Sequence, residues 1–301
     1  MSRRRSTAGL IVFLTLSLVG SWTSAVALRA LELNVQPPPF GTRLFTTALL
    51  YALTLGWQPI LATWVVRRWI DPFRSLDLGL RPAPWAAHRA GAMAAFGAVT
   101  LAMAVTAALS AGGIVVQATP HVAAEAAVAA LEPSFRTVVF LSLVLLGSLT
   151  LVGAQALAEE VAWRGYFLPQ VMGRFGNWRG LLLHATVWGI WYAPVLFVTS
   201  YGPLPIRSSA ARSLGCVATG VLLGTLLGWL RLVSRSIAPV VTANIVLTLL
   251  GGLPYVVHGI DGGARSSIFG PAGWIVMTVG IALLLGSRWR AVVDDSRDGW
   301  T

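Results

Sequence analysis

The chain has 301 residues, of which 56% are hydrophobic and only 11% charged, with a mean hydropathy of +0.73; this excludes an ordinary soluble domain and points to a polytopic membrane protein. The net charge of +11 comes from 22 basic residues, all arginines, scattered between apolar runs rather than gathered on one face or arm, so a nucleic-acid partner is excluded. The single cysteine, Cys216, lies in an apolar run and permits neither a disulfide within the chain nor a cysteine metal cluster.

Apolar runs long enough to cross a hydrocarbon layer of about 30 Å fall near residues 8–28, 44–66, 91–111, 137–158, 180–199, 213–230, 236–257 and 269–287. They predict an all-α polytopic membrane protein of about eight transmembrane helices, one membrane domain over residues 1–293 and a polar tail at 294–301. The first run follows Arg3, Arg4 and Arg5; its length and the lack of a convincing cleavage site keep it as a membrane helix. With the N-terminus in the cytoplasm, only Arg29, Arg43, Arg136, Arg207, Arg212 and Arg265 fall outside, six arginines against sixteen inside. By the positive-inside rule both termini are cytoplasmic, as is the basic loop from Asp71 to Arg89.

Connections and helix faces carry further signals. The Pro37-Pro38-Pro39 stop and residues 112–134 break the helices on the outer side. His88, His121 and His258 fall in connections or at a helix end, without a second histidine at ligand spacing, and are taken as solvated. Trp57, Trp69, Trp178, Trp229, Trp274 and Trp289 lie near predicted helix ends and are assigned as interfacial anchors. Gly220, Gly224 and Gly228, at four-residue spacing, predict a face that a neighbouring helix approaches closely.

The fourth run leads into Glu159-Glu160-Val161-Ala162-Trp163-Arg164-Gly165-Tyr166-Phe167-Leu168-Pro169. Ionisable groups beside a membrane span are expensive and mark function. If the helix continues, Glu160 and Arg164 share a face with the acid on the N-terminal side, the favourable order for an ion pair. Glu159 points about 100° away and is left for chemistry. The bland alternative for so short a pattern is an interfacial salt-bridge cluster.

From about residue 140 to 250 the chain resembles the family of intramembrane CAAX-prenyl endopeptidases and bacteriocin-processing or immunity proteins, which includes lysostaphin resistance protein A. Three stretches carry the resemblance. The glutamate stretch matches the first motif, E-E-x-x-x-R with its continuation. Trp188-Gly189-Ile190-Trp191-Tyr192-Ala193-Pro194 matches the second, an aromatic followed four residues later by histidine. Gly228-Trp229-Leu230-Arg231 and Ser236-Ile237-Ala238-Pro239 lead into the third, H-x-x-x-N. In this alignment Tyr192 stands where the family has its first histidine, Asn244 at its second and Thr248 at its asparagine. The resemblance implies that Glu159 activates a water with the first histidine's help, while the second histidine and the asparagine stabilise an oxyanion. Whether the family's chemistry runs through a metal stays open on these residues.

Tyrosine, with a reference pKa near 10, does not replace histidine as a neutral-pH base, but its hydroxyl can position a water or donate to an oxyanion. Asn244 and Thr248, four apart on one helical face, supply amide and hydroxyl donors of the same use. Tyr192 and Asn244 are expected to flank the Glu159 carboxylate. His184, two turns before Tyr192, is a candidate substitute for the missing histidine; the plain alternative is an interfacial histidine bonded to a carbonyl or water. No cofactor is expected, and zinc is a family-level alternative only, because losing both histidines leaves two glutamates as donors.

Three functions are compatible with these residues. They are an endopeptidase acting on a membrane-associated peptide or protein, a silent homologue that binds such partners, and a small transporter. Against the last, no Gly/Pro-interrupted helices recur in two corresponding halves. The arginine-for-lysine and alanine-rich usage points to a bacterial plasma membrane, which disfavours a prenylated CAAX substrate. The charge asymmetry gives a direct test: in a bacterial host, alkaline phosphatase fused after Thr301 is expected to be inactive, and the same reporter inserted within residues 112–134 active.

Overall fold

The computed structural model describes residues 7–30, 56–71, 77–111, 146, 150–198, 206–250, 268 and 270–286. These are helical or in short connections, without strands, so the all-α fold holds. The outer loop at 112–134, Pro37-Pro38-Pro39, His121, His258, Trp289, the tail and the greater part of the second and fourth runs lie outside the described residues.

In chain order the helices are α1 (Thr7–Ala30), α2 (Gln58–Val65, continuing as a π-helical turn Val66–Ile70) and α3 (Trp85–Ala111). Residues 150–160 form α4, followed by a π-helical turn Val161–Phe167 and α5 (Leu168–Phe175). Then come α6 (Asn177–Val198), α7 (Ile206–Ser234), α8 (Ala238–Leu250) and α9 (Pro271–Leu285). Thr7–Ala27, Trp85–Leu109 and Leu214–Ser234 are each long and apolar enough to cross a membrane. Large apolar side chains such as Ile11, Leu16, Phe96, Leu101, Val279 and Leu283 are exposed, whereas Gln155, Glu159, Glu160, Arg164 and His184 are buried. That inversion suits lipid as the surrounding solvent. The chain is an integral membrane protein.

Two predicted boundaries move, for local reasons. The third helix begins earlier than its apolar run, at Trp85, because Pro84 directly before it suits the first turn and the Ala87 N–H donates to the Pro84 carbonyl at 2.9 Å. His88 and Arg89 therefore belong to α3 rather than to a loop. His88 is no solvated loop histidine: its Nδ1 is 2.9 Å from the Thr242 Oγ1 of α8. The fourth helix does not stop at residue 158 but runs through the glutamates to Phe175, with its geometry altered on the way.

Packing follows the glycines. α6 and α7 run antiparallel, Gly220 against Gly189, Gly224 against Ala185 and Gly228 against Leu181. A Cβ on Gly220 would run into the Gly189 Cα, and one on Gly224 would lie 2.9 Å from the Ala185 Cα. Backbones meet here directly, the arrangement expected where helix association relies on close packing. α9 closes on the outer side of α7, with the Trp274 indole donating to Thr219 Oγ1 at 2.8 Å. Trp274 is thus a helix-to-helix contact rather than an interfacial anchor. α1 lies along α6, with Ser21 Oγ donating to the Trp191 carbonyl at 2.9 Å.

Because the obstacle at Gly220 is backbone, no side-chain rotation relieves it. Gly220→Val is expected to destabilise the protein by about 1–3 kcal/mol, read as a lower midpoint of thermal unfolding in detergent. Gly97→Ala, where a Cβ meets nothing within 4 Å, is expected to leave the midpoint unchanged or raise it.

Candidate functional site

The helix carrying the glutamates changes pitch immediately after them. Pro169 has no N–H to return to the carbonyl four residues back, and its ring would collide there in a regular α-helix. The chain widens instead: the Leu168 N–H bonds the Trp163 carbonyl, five residues back, and Val161–Phe167 forms a π-turn before α5 begins. Such turns favour functional sites because they re-aim side chains while keeping the backbone bonded. Here the widened turn packs Trp163, Tyr166 and Phe167 around Phe13 of α1, with ring centroids 5.1–5.4 Å apart.

Within this frame the two carboxylates take different partners. Arg164 Nη1 donates to Glu160 Oε1 at 3.0 Å, with both side chains wholly buried. Asn244 Nδ2 of α8 donates to the same oxygen at 2.9 Å. The Arg164 guanidinium lies 4.3 Å over the Trp188 ring of α6, a cation–π contact strengthened by exclusion of water. Glu159, also buried, accepts from Gln155 Nε2 at 2.9 Å. The expected ion pair is present and Glu159 diverges from it.

The residues aligned with the histidine motifs are brought to this region in part. Tyr192 is half-buried, its ring 5.9 Å from Trp188 and 6.0 Å from Trp191. Asn244 departs from expectation, since its amide holds the Glu160 carboxylate rather than flanking Glu159. The reason is register: α8 presents Asn244 to the side of the π-turn on which Glu160 and Arg164 lie. Thr248 is exposed, and its hydroxyl donates to Asn244 Oδ1 over a long 3.4 Å. His184 is enclosed by aromatic side chains. It is fully buried, its ring packs on Trp163 and Phe167, and neither ring nitrogen has a hydrogen-bond partner among the described residues.

Three features were missed in the sequence. Gln155 is one turn before Glu159, a spacing that signals contact, but glutamine in an apolar run carries no motif. Trp188 was recognised only as part of a pattern, not as the surface under Arg164. The third is a strap at residues 77–84. Gly79 has φ +70 and lies against the Arg231 guanidinium, and a Cβ on Gly165 would sit 2.7 Å from the Leu78 carbonyl. The strap is fastened by the Ile237 N–H to the Gly79 carbonyl (2.9 Å) and by Ser236 Oγ to the Arg81 carbonyl (2.6 Å). It thereby ties the π-turn to the start of α8, the helix that delivers Asn244.

Among the described residues no group of three histidine, cysteine, aspartate or glutamate side chains could hold a metal. Zinc does not fit the pair of carboxylates either, because Glu160 is already shared between a guanidinium and an amide.

Residues 135–250 match the family model of type II CAAX prenyl endopeptidases, described as Rce1-like. This segment is an Rce1-like domain. It spans the glutamate stretch, the Trp188–Tyr192 motif and the Asn244–Thr248 pair. Among curated proteins no relative matches the chain.

The geometry of the Rce1-like domain separates the roles of its carboxylates. Glu160→Gln leaves Arg164 as a buried charge without its counter-ion and is expected to destabilise by about 3–5 kcal/mol. Glu159→Gln retains a hydrogen-bonding side chain beside Gln155 and is expected to cost less. Thermal unfolding of the two variants in the same detergent gives the comparison, and the reverse order would exchange their roles.

Proposed function

We propose that the protein is an intramembrane endopeptidase in which Glu159 activates a water to attack a peptide bond of a membrane-associated peptide or protein. The observation that carries this reading is the division of labour between the adjacent carboxylates. Glu160 accepts from Arg164 and Asn244, whereas Glu159 accepts from the neutral amide of Gln155, and a carboxylate is suited to proton transfer. Glu159 takes a proton from the water as its oxygen bonds to the carbonyl carbon. It then returns that proton to the departing nitrogen as the C–N bond breaks. The Tyr192 hydroxyl, at the position of the family's first histidine, supplies a donor for the developing oxyanion. The Glu160–Arg164–Asn244 cluster holds α4 and α8 in register around the reaction.

A silent homologue that binds membrane peptides without cutting them is favoured by one observation. Asn244, at the position of the second histidine, has an amide engaged with Glu160. The two readings separate on chemistry. Purified protein incubated with a library of membrane-spanning peptides is expected to yield cleavage products by mass spectrometry, and Glu159→Gln to abolish them. Tyr192→His, which restores a histidine at the position aligned with the family's first one, is expected to accelerate cleavage by about 10²-fold or more. Peptide binding without products in both forms would establish the silent homologue instead.

A further inference from the structure

Gln155 is a buried amide in an otherwise apolar stretch of α4, and a primary amide in such a place is costly unless bonded. Its Nε2 reaches Glu159 Oε1 at 2.9 Å. A second element holds it there. Gly56, in the turn ahead of α2, lies so close that a Cβ on it would sit 2.7 Å from Gln155 Cγ and 2.8 Å from both Cδ and Nε2. The missing side chain at position 56 therefore forms the slot in which the amide rests.

This arrangement bears on the base. A carboxylate that takes a proton from water must present one lone pair in a fixed direction, and misplacement by about 1 Å costs rate steeply. An N–H on Oε1 fixes the carboxylate plane and stabilises its ionised form. We propose that Gln155, seated in the slot left by Gly56, is the positioning residue for Glu159: its N–H orients the carboxylate for proton abstraction. The proposal rests on Glu159 being the base.

Dicyclohexylcarbodiimide reacts with protonated carboxyl groups in apolar surroundings, which allows a readout independent of turnover. The full-length protein in detergent is treated at one fixed pH, and labelling of Glu159 and Glu160 is resolved by fragmentation of the peptide that contains both. Gln155→Leu removes the donor, and Gly56→Ala displaces it from the far side with no substitution in α4. Each variant is expected to raise labelling of Glu159 severalfold and leave Glu160 unchanged. Cleavage by the same variants is expected to fall by about tenfold or more in kcat with KM unchanged. Unchanged Glu159 labelling in both variants would overturn the proposal. So would an equal rise at Glu160, which would reduce Gln155 to general packing. A wild-type protein without peptide cleavage counts against the peptidase reading alone, since the labelling still decides whether Gln155 governs Glu159.

Discussion

The buried ion pair of Glu160 and Arg164 is the constraint on which the rest of this membrane protein depends. Either charge alone within an apolar helix bundle would be prohibitive. Together, at 3.0 Å and one turn apart, they cancel over the shortest distance the backbone allows. Further contacts to the pair come from other helices. Asn244 of α8 donates to the carboxylate, and Trp188 of α6 offers its ring face to the guanidinium. Three helices are thereby fixed to one another at the level of the candidate site, and Glu159 is held among them.

Three backbone devices make that meeting achievable. The π-turn forced by Pro169 widens the helix beside the pair, so that Trp163, Tyr166 and Phe167 fill the space towards α1. The glycine face of α7 lets α6 approach to backbone contact, and it is α6 that carries Trp188 and Tyr192. On the other side the strap through Gly79 binds the π-turn to the start of α8. Each device substitutes close packing or a backbone bond for the hydrophobic drive that lipid does not supply.

The chemistry of the site follows from asymmetry between neighbours. Glu159 and Glu160 are adjacent in sequence, yet helical geometry sends them to different partners, one to a cation and an amide of another helix, the other to an amide on its own helix. Identical residues thus take different partners by direction alone. With Tyr192 and Asn244 at the positions aligned with the family's histidines, this asymmetry is present, because Glu160 binds the amide of Asn244 and Glu159 that of Gln155.

Much was legible in the sequence. Among the described residues, apolar runs of membrane length gave the helix positions, since satisfying backbone groups in lipid leaves little choice of structure. The i, i+4 spacing gave the Glu160–Arg164 pair, and four-residue glycine spacing gave the α6–α7 contact face, because both are periodicities of a single helix. Tertiary structure alone decided which carboxylate Asn244 binds, that Trp274 joins α9 to α7, that His88 meets Thr242, and that His184 is enclosed by Trp163 and Phe167. These contacts join residues on different helices. Their register depends on where glycine permits approach and where proline widens a turn, and no periodicity within one segment encodes that.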